Sequence, residues 1–209
     1  MKRIYQIKMT LHSALHINGG TDVNGTRITL KIGEKGQEKA YVPASLLKGM
    51  VRENFTKLWK NFRPDAIPCC AENGETRPCS CIPCRMFGTS GFQRSRIYFD
   101  HLETEQALEY SLRSNIAIDR HTRKTVDQAL VFTQTVSPKT KDGKSVVFHG
   151  DVTVYYPPEM ELPEQQQIEA VMRTAVKMIT NVGLGKSRGF GFVETDIEKP
   201  EGGWLCEEK

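Results

Sequence analysis

The 209-residue sequence predicts an α+β fold, a ferredoxin-like βαββαβ sheet with its helices on one face. Three observations predict it. Two stretches carry apolar residues at three-and-four spacing, four shorter stretches alternate or cluster as strands do, and the order along the chain is strand, helix, strand, strand, helix, strand. Hydrophobic residues make up 38% and charged residues 26%, with a mean hydropathy of −0.45, which excludes a disordered chain and, with apolar runs of only a few residues, a membrane-spanning helix. Nothing at the start of the sequence reads as a signal peptide, so a cytoplasmic location without membrane contact is expected. A net charge of +4 permits an anionic partner without requiring one.

Taken in order, Ile7, Met9, Leu11, Leu15 and Ile17 keep a two-residue period and read as a first strand with one buried face, ending at Asn18-Gly19-Gly20. Residues 18–40 are rich in Gly, Asn, Thr and Lys and read as a long loop carrying at most a small hairpin. Leu46, Leu47, Met50, Val51, Phe55, Leu58, Trp59 and Phe62 follow Pro43, an amphipathic helix with Ser45 as its expected N-cap. Residues 64–92 are Cys- and Pro-rich and fit neither period, and a second strand is expected at Ser95–Phe99. Residues 104–145 read as a protruding insertion with a hairpin near 125–138, around Ala129-Leu130-Val131-Phe132. Val146 to Tyr156 form a third strand, stopped by Pro157 and Pro158. The second helix runs through Ile168, Val171, Met172, Ala175, Val176 and Ile179, with Gly183 past its end, and a last strand is expected from Gly189 to Thr195. The whole reads as one domain, 1–209, with three insertions.

Five of the six cysteines fall between positions 69 and 84. In a reducing compartment such closely spaced thiols favour a metal over a disulfide, and four thiolates suffice for tetrahedral zinc. Cys79, Cys81 and Cys84 are the expected ligands, completed by Cys70 or its neighbour Cys69, in a structural role because an all-thiolate shell leaves no position for water. His101 is a weaker substitute, Cys206 a bystander, and a disulfide or free thiols are the alternative.

The segment Gly183-Leu-Gly-Lys-Ser-Arg-Gly-Phe-Gly-Phe192 fails as a phosphate-binding P-loop, because Thr180 stands where the first Gly is needed and a strand follows instead of a helix. Residues 188–195 match an RNA-recognition strand pattern except for Thr195 at its last aromatic position, but too little chain follows for that fold. A glycine-rich turn bearing Lys186 and Arg188 remains, which can bring backbone N–H groups and cations to phosphates. The alternative is a tight helix-to-strand connection with Phe190 and Phe192 in the core. Lys48 and Arg52 lie four apart on the first helix near an N-terminus that favours anions, where a merely solvated face is the alternative.

Together, five stretches resemble the repeat-associated mysterious protein (RAMP) superfamily, specifically the small backbone subunit of type III CRISPR effector complexes. They are Leu15-His-Ile-Asn-Gly-Gly20, Tyr41-Val-Pro-Ala-Ser-Leu-Leu-Lys-Gly-Met-Val-Arg52, Cys84-Arg-Met-Phe-Gly88 with Ser95–Phe99, Asn115-Ile-Ala-Ile-Asp-Arg-His-Thr122, and Gly183 to Gly191. The resemblance implies a ferredoxin-like (RRM-like) palm with a zinc knuckle and a β-hairpin thumb. Copies would stack along a guide RNA (crRNA) paired to complementary target RNA, with other CRISPR effector subunits as partners. It implies guide-phosphate contacts from Ser45, Lys48, Gly49, Arg52, Gly183, Gly185, Lys186 and Arg188, and thumb wedges from Leu130, Val131 and Phe132. Relatives often carry an Asp after the first strand that supports metal-dependent target cleavage, and Asp22, with Mg²⁺ as its ion, is the counterpart here, although its position in the loop differs from theirs. Two rival expectations stand beside this one: a metal-independent endoribonuclease processing precursor guide RNA with His12 or His16, and a zinc-stabilised RNA-binding adaptor without chemistry.

Overall fold

The computed structural model describes residues 1–34, 37–62, 79–91 and 93–198. Strand β1 (Lys2–Leu11) buries Tyr5, Ile7, Met9 and Leu11 on one face, as alternation dictates. It starts earlier than the apolar pattern suggested and ends before Leu15. Leu15 instead exchanges backbone hydrogen bonds with Val136, at 3.0 and 2.7 Å, inside the 104–145 insertion.

Residues 18–40 are not one loop. They form β2 (Asn18–Thr21), β3 (Arg27–Thr29), β4 (Lys31–Ile32) and β5 (Lys39–Ala40), two antiparallel hairpins. Their partners lie far along the chain or in polar residues, so no apolar period announces them. Helix α1 (Ala44–Phe62) buries Leu47, Val51, Phe55 and Trp59, and Phe55 stacks on Trp59 with ring centroids 5.6 Å apart. Short α2 (Ile82–Phe87) places Phe87 against Phe55, and β6 (Ile97–Phe99) follows.

The insertion is built on β7 (Tyr110–Asn115) and β8 (Val131–Val136), paired antiparallel from Tyr110↔Val136 to Asn115↔Val131. The hairpin expected near 125–138 therefore contains only one of its two strands. β3 pairs with β8 in parallel at Arg27↔Thr133, giving a second sheet of order β2-β3-β8-β7 from two separate insertions.

β9 (Val147–Tyr155), α3 (Leu162–Lys177) and β10 (Val193–Glu198) complete the chain. The main sheet has the order β10-β1-β9-β6 and is antiparallel throughout. Apolar residues of α1 and α3 share one core with the buried face of β1. The last strand begins at Val193 rather than Gly189. Gly189 and Gly191 have φ of 81° and 65°, outside the extended region a strand requires, so Gly189–Phe192 alternates in sequence without being a strand. Among the described residues no helix is long and apolar enough to cross a membrane.

Candidate nucleic-acid interface and metal centre

α1 opens at the end of the sheet from which the insertion rises. The Pro43 carbonyl accepts from the N–H groups of Leu46 and Leu47, and the Ala44 N–H donates to His101 Nδ1 at 3.0 Å. Ser45 therefore sits inside the first turn, exposed, and is not the N-cap. His101, beyond β6, supplies the acceptor, and it is no part of the cysteine group that it was expected to supplement.

Ser45, Lys48, Gly49 and Arg52 recur at three-and-four spacing and share one side of the helix. Ser45 and Gly49 are exposed, Lys48 and Arg52 half-buried. Burial, and then the neighbouring Arg52 charge, hold the Lys48 ammonium below its usual value. Gly49 is a helical position with open space where a Cβ would stand.

The glycine-rich segment folds as a 3-10 turn over Lys186–Arg188 between Gly185 and Gly189, both left-handed with φ of 80° and 81°. The first N–H groups of such a turn have no acceptor within it. Two glycines also permit close packing. A Cβ on Gly183 would strike the His16 carbonyl, and one on Gly191 the Val182 carbonyl. Lys186, Ser187 and Arg188 are exposed. Lys57, the dominant partner, holds the Glu53 carboxyl of α1 below its usual value, and Lys186 of the turn adds a smaller electrostatic contribution.

The alternative reading, in which Phe190 and Phe192 both enter the core, is not met. Phe190 is half-buried, fills the space beside Gly185 and lies under the Arg113 guanidinium of β7 at 5.2 Å. Phe192 is 49% exposed, its ring centroid 5.8 Å from that of His12. Arg113 has no signal in the sequence, because only the fold brings β7 to this turn.

Asp22 caps the β2–β3 connection. Its Oδ1 accepts from the N–H groups of Asn24 at 2.9 Å and Thr26 at 2.8 Å, and the tip is exposed. None of the hydrogen bonds or ion pairs among the described residues joins Asp22 to Lys48, Arg52, Lys186 or Arg188. In the 104–145 insertion, Leu130 and Phe132 are 53% and 40% exposed. Leu112, Ile116, Ile118 and Val126 are exposed on the same insertion, and Val131 is half-buried.

His12 and His16 differ sharply. His12 is exposed and lies 3.4 Å from Glu194. His16 is 2% exposed, and its Nδ1–H points at the Gln134 carbonyl at 2.8 Å, with Thr29 Oγ1 at 3.2 Å. Burial first, with the Arg27 charge, holds its ring below the ordinary histidine value.

Cys79, Cys81 and Cys84 bring their sulfurs within 4.8 Å of one another, with Cys81 and Cys84 buried. Three thiolates so close fit a tetrahedral thiophilic ion such as zinc. The Arg52 guanidinium approaches Cys84 Sγ at 4.0 Å. Cys69 and Cys70, the expected source of a fourth ligand, lie outside the described residues, as does Cys206.

The family model of the RAMP superfamily matches residues 8–194 of this chain. No curated protein matches it.

Proposed function

The chain belongs to the RAMP superfamily, a membership that carries a CRISPR-associated RNA-binding role, and from that premise we propose that it is a guide-RNA-binding backbone subunit of a type III effector complex. Several copies would stack along one guide. The main sheet, with its order β10-β1-β9-β6 and helices on one face, is the ferredoxin-like palm of this reading, and the β2-β3-β8-β7 sheet carries the thumb.

The observation that carries it is Gly49. Glycine inside a helix costs about 1 kcal/mol against alanine, and nothing in the described chain would touch a Cβ there. A residue that the fold does not need, on the side of α1 that carries Lys48, suits a polyanion backbone packed against the helix. Phosphates would meet Lys48, Lys186, Arg188 and the N–H groups of the glycine-rich turn, with Ser45 and Gly183 and Gly185 shaping the approach. Arg52, turned toward Cys84, would link the phosphate-binding side to the metal centre. Exposed Leu130 and Phe132 would press between stacked base pairs. Asp22, whose Oδ1 is committed to its turn, retains Oδ2 for a divalent ion such as Mg²⁺, which would assist cleavage of the target strand when bound. Burial of His16 weighs against its service as a general acid or base in a processing nuclease.

The test is RNA affinity as a function of salt. Lys186→Ala and Arg188→Ala should each weaken guide binding and lower the slope of log affinity against log salt by about 1. Unchanged affinity and slope in both variants would overturn the phosphate-binding role of the turn. In the assembled complex, copies of the chain should increase with guide length, and Asp22→Ala should abolish Mg²⁺-dependent target cutting while leaving guide affinity intact. Equal cutting by both proteins removes Asp22 from the mechanism.

A further inference from the structure

We propose that Phe192, braced by His12, is a nucleobase-stacking platform beside the glycine-rich turn, so that this turn holds a phosphate while the adjacent ring takes an unpaired base of the same strand. The inference rests on the RNA-binding reading above and adds a second chemistry to it.

Residues 188–195 carry the alternation of an RNA-recognition strand, with aromatics at positions 190 and 192, in a fold where they are not that strand. The structure separates the two rings. Phe190 serves the fold: it packs beside Gly185 and under Arg113. Phe192 serves nothing comparable. Its ring is half exposed, whereas Val193 beside it is buried at 2%.

The backbone under that ring is fixed. The Phe192 N–H donates to Ser13 Oγ at 2.9 Å, and its carbonyl accepts from the N–H groups of His12 at 2.9 Å and Ser13 at 3.3 Å. Next to it, the Gly191 N–H donates to the Ala14 carbonyl at 2.8 Å and the Gly191 carbonyl accepts from Val182. An exposed aromatic on a rigid backbone loses little entropy when a base stacks on it. His12, tilted 46° to the phenyl ring, walls one side, and its own neighbour is the Glu194 carboxylate. That carboxylate keeps phosphates away from the His12 side and leaves them to Lys186 and Arg188, on the turn that ends at Gly189. A base flanked by cations on the strand's phosphates is the arrangement by which single strands are held without sequence preference.

The experiment uses the full chain and two single-stranded probes of equal length and charge, oligouridylate and an abasic oligoribose phosphate. Stacking on one base contributes about 5- to 150-fold to affinity. Wild-type protein should prefer the oligouridylate, Phe192→Ala should lose most of that preference with its salt slope unchanged, and Phe192→Tyr should restore it. A 2-aminopurine placed in the strand should be quenched by wild type and by Phe192→Tyr, but not by Phe192→Ala. If Phe192→Ala keeps the preference and the quenching while Lys186→Ala lowers the salt slope, the platform is refuted and the phosphate site stands. If none of these variants alters RNA binding, the RNA-binding reading of the turn falls with it. Thermal unfolding of Phe192→Ala separates a lost platform from a lost fold, and a variant that has lost its cooperative transition counts against the platform, because it makes Phe192 a packing residue.

Discussion

His16 shows how one residue joins three segments. Its ring reaches the Gln134 carbonyl in β8 and the Thr29 hydroxyl in β3, its own carbonyl accepts from Leu184 N–H, and its Nε2 is buried with no partner among the described residues. The folded-state pKa lies below the ordinary 6.5, so the unfolded chain takes up the proton first as pH falls. Stability should be level well above that value and decline as pH falls through and below it. His16→Asn, which retains a donor for Gln134, should be less stable at pH 7 by about 1–3 kcal/mol but flatter across that window, as read from urea midpoints. Parallel pH curves for the two proteins would discard the buried-neutral histidine. In the sequence this residue was one of two histidines near a first strand. Its burial depends on Gln134, 118 positions away, and no local pattern reports that.

At the scale of the element, both helices were legible because a buried stripe at three-and-four spacing survives any detail of their surroundings. Their ends were less so. α1 begins at Ala44 because Pro43 can enter a helix only at its edge and His101 accepts the first N–H, a tertiary contact that displaces Ser45 from the capping position. Gly49 gives a prediction at this scale. Gly49→Ala should raise folding stability by about 0.5–1 kcal/mol, since the added methyl meets nothing, and should weaken guide-RNA affinity several-fold by holding the strand off the helix. Urea midpoints and fluorescence anisotropy check the two halves separately. Higher stability with unchanged affinity would deny close approach at this position. The reverse error, a strand read into Gly189–Phe192, arose because two-residue alternation is also what a tight glycine turn with outward aromatics produces.

For the whole molecule, the cysteine group ties α2 to α1, through Arg52 at Cys84 and Phe87 at Phe55. Chelation of a bound metal, or Cys84→Ser, should therefore destabilise the palm itself. A loss of about 2–3 kcal/mol corresponds to roughly 4–12 °C in melting temperature for a chain of this size, and readdition of zinc should restore it in the wild type alone. Melting that is indifferent to chelator, or purified protein free of metal, would leave the thiols as packing groups.

Composition, periodicity and cysteine spacing by themselves determined the α+β class, the two helices, the core faces of the main strands and the thiol cluster, because each is written in residues near one another in the chain. The tertiary structure alone decided that strands within residues 18–29 and 110–136 form one sheet, and that His16 is enclosed and Phe192 is not. These depend on pairings across a hundred or more residues, such as Arg27↔Thr133, where polar strands need only matching backbone groups and leave no hydrophobic period to betray them.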